Sequence, residues 1–217
     1  MMNISEILQT RRSCRAFKPD PVDQDTLLAI LYDALCTPSW GNTQPWEIFV
    51  AGGEVLKVIN QAYLTNTKNR IPMNPDIPHP KSYPVAAKEH IKEFMAGVSL
   101  VAEDAATLFG ELNNKFFYAP AVIYLCMDKS LGTWSMFDLG ALSQSIMLAA
   151  AESGLATIPA VTLVHYPEIL RNELGIPDNF SIVIGIAIGY EDKRHPINKF
   201  KSVRRALVDV ATIKGIE

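Results

Sequence analysis

Residues 37–46 concentrate polar side chains, tryptophan and proline, and they form the first candidate for a binding site. The polar side chains are those of Ser39, Asn42, Thr43 and Gln44, beside two prolines and a glycine. A segment of this composition forms no regular backbone ladder, so its polar groups need partners that secondary structure does not supply. We therefore expect this loop to bind a ligand.

Three arginines around a serine form the second candidate. Arg11, Arg12 and Arg15 flank Ser13 directly after a short predicted helix. A helix C-terminus favours positive charge and could account for the cluster without any ligand. The alternative is an anion site, because guanidinium forks, a hydroxyl and free backbone N–H groups together suit a phosphate or an anionic ring.

A second basic element near the C-terminus favours the anion site. Six lysines or arginines, and no acidic residue, fall between positions 193 and 205. A solvated tail or a nucleic-acid-binding arm would also be basic. The net charge of -3 argues against a general electrostatic attraction to nucleic acid. One phosphate-bearing cofactor would explain both basic elements.

Other kinds of catalytic site leave no clear motif. The chain has no P-loop, no complete dinucleotide-binding glycine pattern, no HExxH and no GxSxG. Its four histidines are scattered, which disfavours a metal site, and Cys14 has no evident histidine partner for thiol catalysis. The three cysteines lack the spacing of a disulfide framework or zinc knuckle and are typical of a reducing compartment.

What remains is an organic cofactor that carries a phosphate, and flavin mononucleotide (FMN) suits the residues. Its ring edge needs amide donors and acceptors such as those of Asn42, Gln44 and Gln144. Its ring system stacks on aromatic neighbours such as Trp40, and its phosphate needs arginine or lysine.

The apolar patterns that surround these candidates predict helices and strands in alternation. Asp23 is expected to cap a helix, and Ser135 with Asp138 resembles a capping pair that opens a helix ending near residue 152. The other predicted helices cover residues 4–10, 55–64, 166–174 and 86–112, the last with a break near Gly97. The predicted strands cover residues 46–51, 121–127, 154–160 and 180–189.

This order predicts one domain in which helices cover a small central sheet. Residues 66–84 contain five prolines and are expected to form a lid or a partner-wrapping excursion. The first eight residues lack an apolar signal-peptide core, and the longest apolar run, residues 182–188, is too short to span a bilayer. We expect a cytoplasmic protein without membrane or nucleic-acid partners.

Four motifs, in their order along the chain, resemble the FMN-dependent nitroreductase family. They are RRSCRAF at 11–17, PSWGNTQPW at 38–46, GLATIP at 154–159, and Gly-Tyr at 189–190 followed by the basic arm. The resemblance covers nearly the whole chain, and the first two motifs at this separation are specific. The sequence around Tyr83 and WSMFDLG at 134–140 look most similar to nitrobenzoate and nitrobenzene reductases.

The resemblance implies an α+β fold with a small mixed sheet, and an intertwined homodimer that holds two FMN sites at its interface. A C-terminal arm, residues 190–217, would cross the partner subunit. The implied enzyme takes a hydride from NADH or NADPH onto flavin N5 and passes two electrons to nitroaromatics, quinones or similar acceptors by a ping-pong mechanism. Alternatives are a flavin reductase, enone reductase or reductive dehalogenase of the same fold, or a non-catalytic flavin-binding protein.

The same resemblance implies the residues of the cofactor site. One subunit would supply Arg11, Arg12, Ser13 and Arg15, with Lys201 and Arg204 at the phosphate. It would line the flavin ring with Gln144, Pro159 and Ala160. The partner subunit would supply Pro38, Ser39, Trp40 and Asn42. Arg15 would stabilise the negative charge of the reduced ring, and neither a side-chain nucleophile nor a metal is implied. Ala206 departs from the family pattern, which commonly has proline after the basic pair.

Overall fold

A four-stranded antiparallel sheet lies at the centre of the computed structural model, which describes residues 3–102 and 104–216. Its strands are β1 (Glu47–Gly52), β2 (Ala121–Asp128), β3 (Ala156–Ala160) and β4 (Phe180–Gly189), in the order β1-β2-β4-β3. All three strand pairs are antiparallel, so the predicted mixed sheet is wrong. The mixed sheet was implied by the family resemblance alone. The connections from β1 to β2 and from β3 to β4 leave and re-enter the sheet at the same end, which makes each of these pairs antiparallel.

The helices occur where the sequence pattern predicts them, and the structure defines where each begins and ends. They are α1 (Ile4–Thr10), α2 (Gln24–Ala34), α3 (Gly53–Lys68), α4 (Val85–Ser99), α5 (Ala105–Asn114), α6 (Thr133–Glu152) and α7 (Pro167–Leu174). Asp23 caps α2 as predicted, because its carboxylate accepts a hydrogen bond from the Thr26 N–H at 2.9 Å. The predicted break near Gly97 falls instead after Ser99.

The side chains of β2 alternate between two hydrophobic cores, one on each face of the sheet. Val122 and Tyr124 belong to the first core, which α3, α5 and α7 cover. Ile123 and Leu125 belong to the second core, which α2 and α6 cover. The prediction of helices on both faces of a small sheet is therefore confirmed. Within the described residues, no helix has the length and apolarity that crossing a membrane requires.

The proline-rich segment predicted over residues 66–84 begins only at residue 69, because α3 continues to Lys68, and residues 69–84 are docked on the body of the protein. The Asp76 carboxylate accepts hydrogen bonds from Arg171 Nη2 at 2.7 Å and from the Ile182 N–H at 2.8 Å. The side chains of Asp76 and Arg171 are 14% and 6% exposed, so this ion pair is nearly buried. Ile182 adjoins a register shift between β2 and β4 where regular pairing is interrupted. Asp76 thus anchors the segment and satisfies a strand N–H at an irregular point of the sheet.

Two histidines meet where the proline-rich segment contacts the chain after β3. The Nε2 atoms of His79 and His165 lie 3.3 Å apart. Burial, and secondly the charge of His79, lower the pKa of His165. A histidine whose pKa is lower in the docked state favours docking above the ordinary histidine pKa of about 6.5, and that contribution is lost as the pH falls from this value through the lowered pKa of the docked state.

This contact predicts a pH dependence that can be isolated by mutation. Between pH 7 and pH 5 we expect His79→Gln to lose less thermal stability than the wild type, because it removes one of the two imidazoles. Melting temperatures measured across this range provide the test. His90→Gln is the control, since His90 is exposed on α4, and it should follow the wild type. Parallel curves for the wild type and His79→Gln would show that the contact does not contribute.

Candidate cofactor-binding site

Residues 11–18 lie along the outer edge of β3, which is an edge strand of the sheet. Ser13 forms a parallel bridge with Thr157, and the Cys14 N–H donates to the Thr157 carbonyl at 3.0 Å. Further along, the Lys18 N–H donates to the Tyr190 carbonyl at 2.8 Å. The arginine motif is thus held between β3 and the beginning of the C-terminal arm.

The Arg11 guanidinium contains a hydrogen-bond donor that is not satisfied. Its Nε atom is buried and has no hydrogen-bond partner among the described residues. Burial, and secondly the charge of Arg204, lower the pKa of Arg11. The fold thus brings together two like charges and a buried donor, an arrangement that is unfavourable until an anion binds. Both arginines belong to the set that the family resemblance implies for the FMN site, with Arg204 at the phosphate.

Arg12 has a partner that the sequence analysis did not anticipate. Its Nη2 atom lies 2.6 Å from Glu191 Oε1, and the two side chains are 35% and 18% exposed. This ion pair ties the arginine motif to the arm. The structure therefore gives Arg12 a structural contact, while its predicted contact with FMN remains a prediction.

Arg15 is fixed through both its backbone and its side chain. Its N–H donates to Asn198 Oδ1 at 2.8 Å, and its Nη1 donates to the Ser13 carbonyl at 3.1 Å. Three phenyl rings surround the guanidinium, with centroids 5.3–5.7 Å from Cζ, namely those of Phe94, Phe109 and Phe200. Burial lowers the pKa of Arg15. The buried Asn198 was missed because nothing near it in the sequence indicates a contact with Arg15.

Cys14 cannot serve as a nucleophile in this setting. Its side chain is 1% exposed, and its Sγ donates to the Ala16 carbonyl at 3.2 Å. Burial is the main cause that raises the pKa of this thiol to about 12. The thiol is therefore protonated at neutral pH, which agrees with the lack of an evident histidine partner for Cys14 in the sequence.

The loop at residues 37–46 contains a 3₁₀ turn, Trp40–Asn42, and exposes much of its surface. The Ser39 hydroxyl accepts a hydrogen bond from the Gln44 N–H at 2.9 Å, so some of the loop's polar groups are hydrogen-bonded within the loop itself. The Trp40 side chain is 71% exposed. Asn42 is exposed and has a positive φ of 54°, a left-handed conformation that asparagine adopts more readily than most residues. The exposed side chains of Trp40 and Asn42 are free to contact another molecule.

Asp138 does not cap its own helix but supports this loop. The predicted capping pair at Ser135 and Asp138 is wrong, because α6 begins at Thr133 after Gly132 and both side chains are buried inside it. The Trp40 N–H donates to the Asp138 carboxylate at 3.2 Å. The two residues are 98 positions apart, so no local pattern could reveal the contact.

Removing the Asp138 carboxylate should loosen the loop. We expect Asp138→Ala to reduce stability by about 1–2 kcal/mol, as for the loss of a helix cap, and to speed amide exchange at residues 40–44. Hydrogen-exchange mass spectrometry measures the second effect. Asp138→Asn keeps an acceptor oxygen in the same place and should exchange at nearly the wild-type rate. Unchanged exchange in the alanine variant would mean that Asp138 does not hold the loop.

The remaining predicted residues occupy three separate places. Gln144 is half-buried on α6, and Pro159 and Ala160 are half-buried on β3, close to the bridge between Ser13 and Thr157. Lys201 and Arg204 are exposed on the arm. No hydrogen bond or ion pair of the described residues joins the loop at 37–46 to the motif at 11–18. Likewise, no cluster of three or more potential metal ligands occurs among them.

Comparison with known proteins decides the classification. The profile of the nitroreductase family matches residues 8–190, which include the arginine motif, the loop at 37–46 and the whole sheet. The chain belongs to the nitroreductase family.

Relatives within the family include enzymes that act on nitroaromatic compounds. The chain is 30% identical to the 4-nitrobenzoate reductase of Pseudomonas putida over 91% of this chain and 89% of that protein. It is 31% identical to the nitrobenzene nitroreductase of Ectopseudomonas oleovorans over 96% of each. The predicted resemblance to the nitrobenzoate and nitrobenzene reductases is thus confirmed.

A solved structure agrees with this classification. The FMN-dependent nitroreductase NfnB of Mycobacterium smegmatis, solved in complex with NADPH, superimposes with a TM-score of 0.90 at 27% identity. The superposition covers 98% of both chains. This nitroreductase therefore shares the α+β fold of NfnB.

Proposed function

We propose that this nitroreductase is an FMN-dependent oxidoreductase that uses NADH or NADPH to reduce nitroaromatic compounds, quinones or similar acceptors. The observation that carries the proposal is Arg11, whose buried Nε has no hydrogen-bond partner in the described part of the chain and lies near the like charge of Arg204. A phosphate group would supply both the missing acceptor and the compensating charge. The names of the relatives support the same chemistry.

The residues present fit FMN. Arg11 and Arg204, with Lys201 nearby on the arm, would hold the phosphate. Pro159 and Ala160 lie on the edge strand β3, where a proline is tolerated although it has no N–H to donate. Together with Gln144 and Ser13 they would border the flavin ring. Bound FMN supplies the redox chemistry, since its ring accepts a hydride from NAD(P)H and returns two electrons to an acceptor. Arg15 would hold a positive charge at the ring.

The second half of the site would come from a second copy of the chain. The arm carries apolar side chains that are largely exposed in one chain, including Val203 at 92% and Val208 at 84%. Trp40, Trp134 and Phe137 are similarly exposed at more than 70% each. Exposed apolar groups of this extent mark an interaction surface. A homodimer would bury them and bring Pro38, Ser39, Trp40 and Asn42 to the partner's FMN.

The cofactor and the activity can be tested on the purified protein. We expect it to be yellow, to release FMN on denaturation, and to lose its flavin absorbance when NADH or NADPH is added without oxygen. Turnover with nitrobenzoate, menadione and free FMN would then rank nitroreductase activity against flavin reduction. A colourless protein that FMN neither colours nor stabilises would refute the proposal. Bleaching without turnover of any acceptor would favour a flavin-binding protein instead.

The dimer can be tested separately. Light scattering should give twice the mass of one chain, and a chain ended after Phe200 should be monomeric and bind FMN poorly. Amide exchange at residues 37–46 should be slower in the FMN-bound dimer than in the apo protein, because the loop gains its second set of contacts there. A monomeric mass for the full-length, FMN-bound protein would exclude the shared site.

The three free cysteines suit a reducing environment, so we place this enzyme in the cytoplasm.

A further inference from the structure

Three aromatic rings from distant parts of the chain converge on Arg15. Phe94 lies on α4, Phe109 lies on α5, and Phe200 follows the 3₁₀ turn Pro196–Lys199 at the beginning of the arm. Their centroids lie 5.3, 5.7 and 5.6 Å from the Arg15 Cζ. We call these residues the phenylalanine cage. Each distance is within the range at which a cation is attracted to an aromatic face.

The rings of the cage also fix one another. Phe94 packs edge-to-face against Phe200 at 5.1 Å and 83°, and against Phe109 at 6.0 Å and 81°. Gly97, one turn after Phe94, makes room for this packing, since a Cβ there would lie 2.8 Å from the Phe200 ring. The cage is therefore a packed unit that depends on α4, α5 and the arm together.

An aromatic cage holds a cation in a way that a carboxylate cannot. A carboxylate would neutralise the guanidinium and occupy its N–H donors, whereas ring faces attract the charge and accept none of these hydrogen bonds in the guanidinium plane. The positive charge, and the N–H donors other than the Nη1 group that donates to the Ser13 carbonyl, therefore stay available to a ligand. Because the charge is half-buried, its effect on a nearby ligand is screened less than at an exposed position.

We propose that Phe94, Phe109 and Phe200 are positioning residues that hold the Arg15 guanidinium at the flavin and thereby favour the reduced, more negatively charged form of the cofactor. This inference rests on the proposed function. It adds that helices α4 and α5 and the beginning of the arm act on the cofactor through Arg15. Damage to the cage should thus weaken binding of reduced FMN more than binding of oxidised FMN.

The test compares the redox potential of bound FMN in matched phenylalanine variants. Phe109→Leu and Phe200→Leu each remove one ring face, and Phe49→Leu is the control because Phe49 packs against the same core without contacting Arg15. We expect each cage variant to lose about three- to tenfold in affinity for reduced relative to oxidised FMN. For a two-electron couple this lowers the midpoint potential by about 14–30 mV. The control should keep the wild-type potential.

Loss of packing alone would have a different signature. It would lower the melting temperature and weaken both forms of FMN equally, leaving the midpoint potential unchanged, and that result would overturn the proposal. If a leucine variant does not fold, methionine at the same position restores volume without an aromatic face, and the same criteria apply. Failure of the wild type to bind FMN would instead refute the proposed function, so the two failures are distinguishable.

Discussion

Asp76→Ala should lower the free energy of unfolding by about 3–5 kcal/mol, the usual cost of removing one partner from a buried ion pair. The variant leaves the nearly buried Arg171 without its 2.7 Å partner and the Ile182 N–H without an acceptor. It also releases the anchor of the proline-rich segment. For a chain of this length the melting temperature should fall by about 6–20 °C. Chemical denaturation and thermal scans measure the two quantities.

Asp178 provides the matched control, because it faces the same arginine from the solvent side. Its Oδ1 lies 3.7 Å from Arg171 Nε, and its side chain is 97% exposed. Asp178→Ala should change the stability by less than about 0.5 kcal/mol, as surface substitutions commonly do. Replacing both Asp76 and Arg171 with leucine should recover part of the loss, because no buried charge is then left unpaired. Equal stability of Asp76→Ala and the wild type would show that the pair does not anchor the segment.

Arg11→Ala should weaken FMN binding by about 1.5–3 kcal/mol, or roughly 10- to 150-fold, the value of a hydrogen bond to a charged group. The same substitution should not destabilise the protein in the absence of FMN. Arg11 is partly buried and close to a like charge, and its Nε has no hydrogen-bond partner within residues 3–102 and 104–216. The apo variant should therefore be no less stable than the wild type. Fluorescence titration with FMN and melting of both forms measure the two effects.

Arg194 is the control for charge alone. It belongs to the same basic arm, but its side chain is 92% exposed and contacts Asp192. Arg194→Ala removes one positive charge and should leave FMN affinity within about twofold of the wild type, since exposed charges are screened by salt. Equal weakening in both variants would indicate a general electrostatic effect and would remove Arg11 from the site.

The sequence predicted those parts of the fold that depend on local patterns. Strands appeared as apolar runs and Asp23 as a helix cap. The helix predicted at 166–174 ends at Leu174, before Gly175 with its left-handed φ of 65°. The predicted strand directions were wrong, because they depend on where each connection re-enters the sheet rather than on any local signal.

For the candidate site, too, some residues could be predicted from local sequence patterns and others could not. The basic motif, the loop at 37–46 and the basic arm were visible as compositions, and the fold brings Arg204 close to Arg11. The residues that hold them in place were not visible. Asp138, Asn198 and the phenylalanine cage act across separations such as 98 and 183 positions. Contacts of that kind depend on the folded arrangement, whereas the amino-acid types at these positions also suit ordinary caps and cores.

The attachment of the arginine motif to the arm also determines when the site can form during synthesis. Arg12 pairs with Glu191 across 179 positions, and the Arg15 backbone is held by Asn198 across 183. At a translation rate of about 5–20 residues per second, the motif waits roughly 10–40 s for these partners. Closing so long a chain segment is slow compared with local helix formation. We therefore expect the cofactor site to form only after residue 198 has been synthesised.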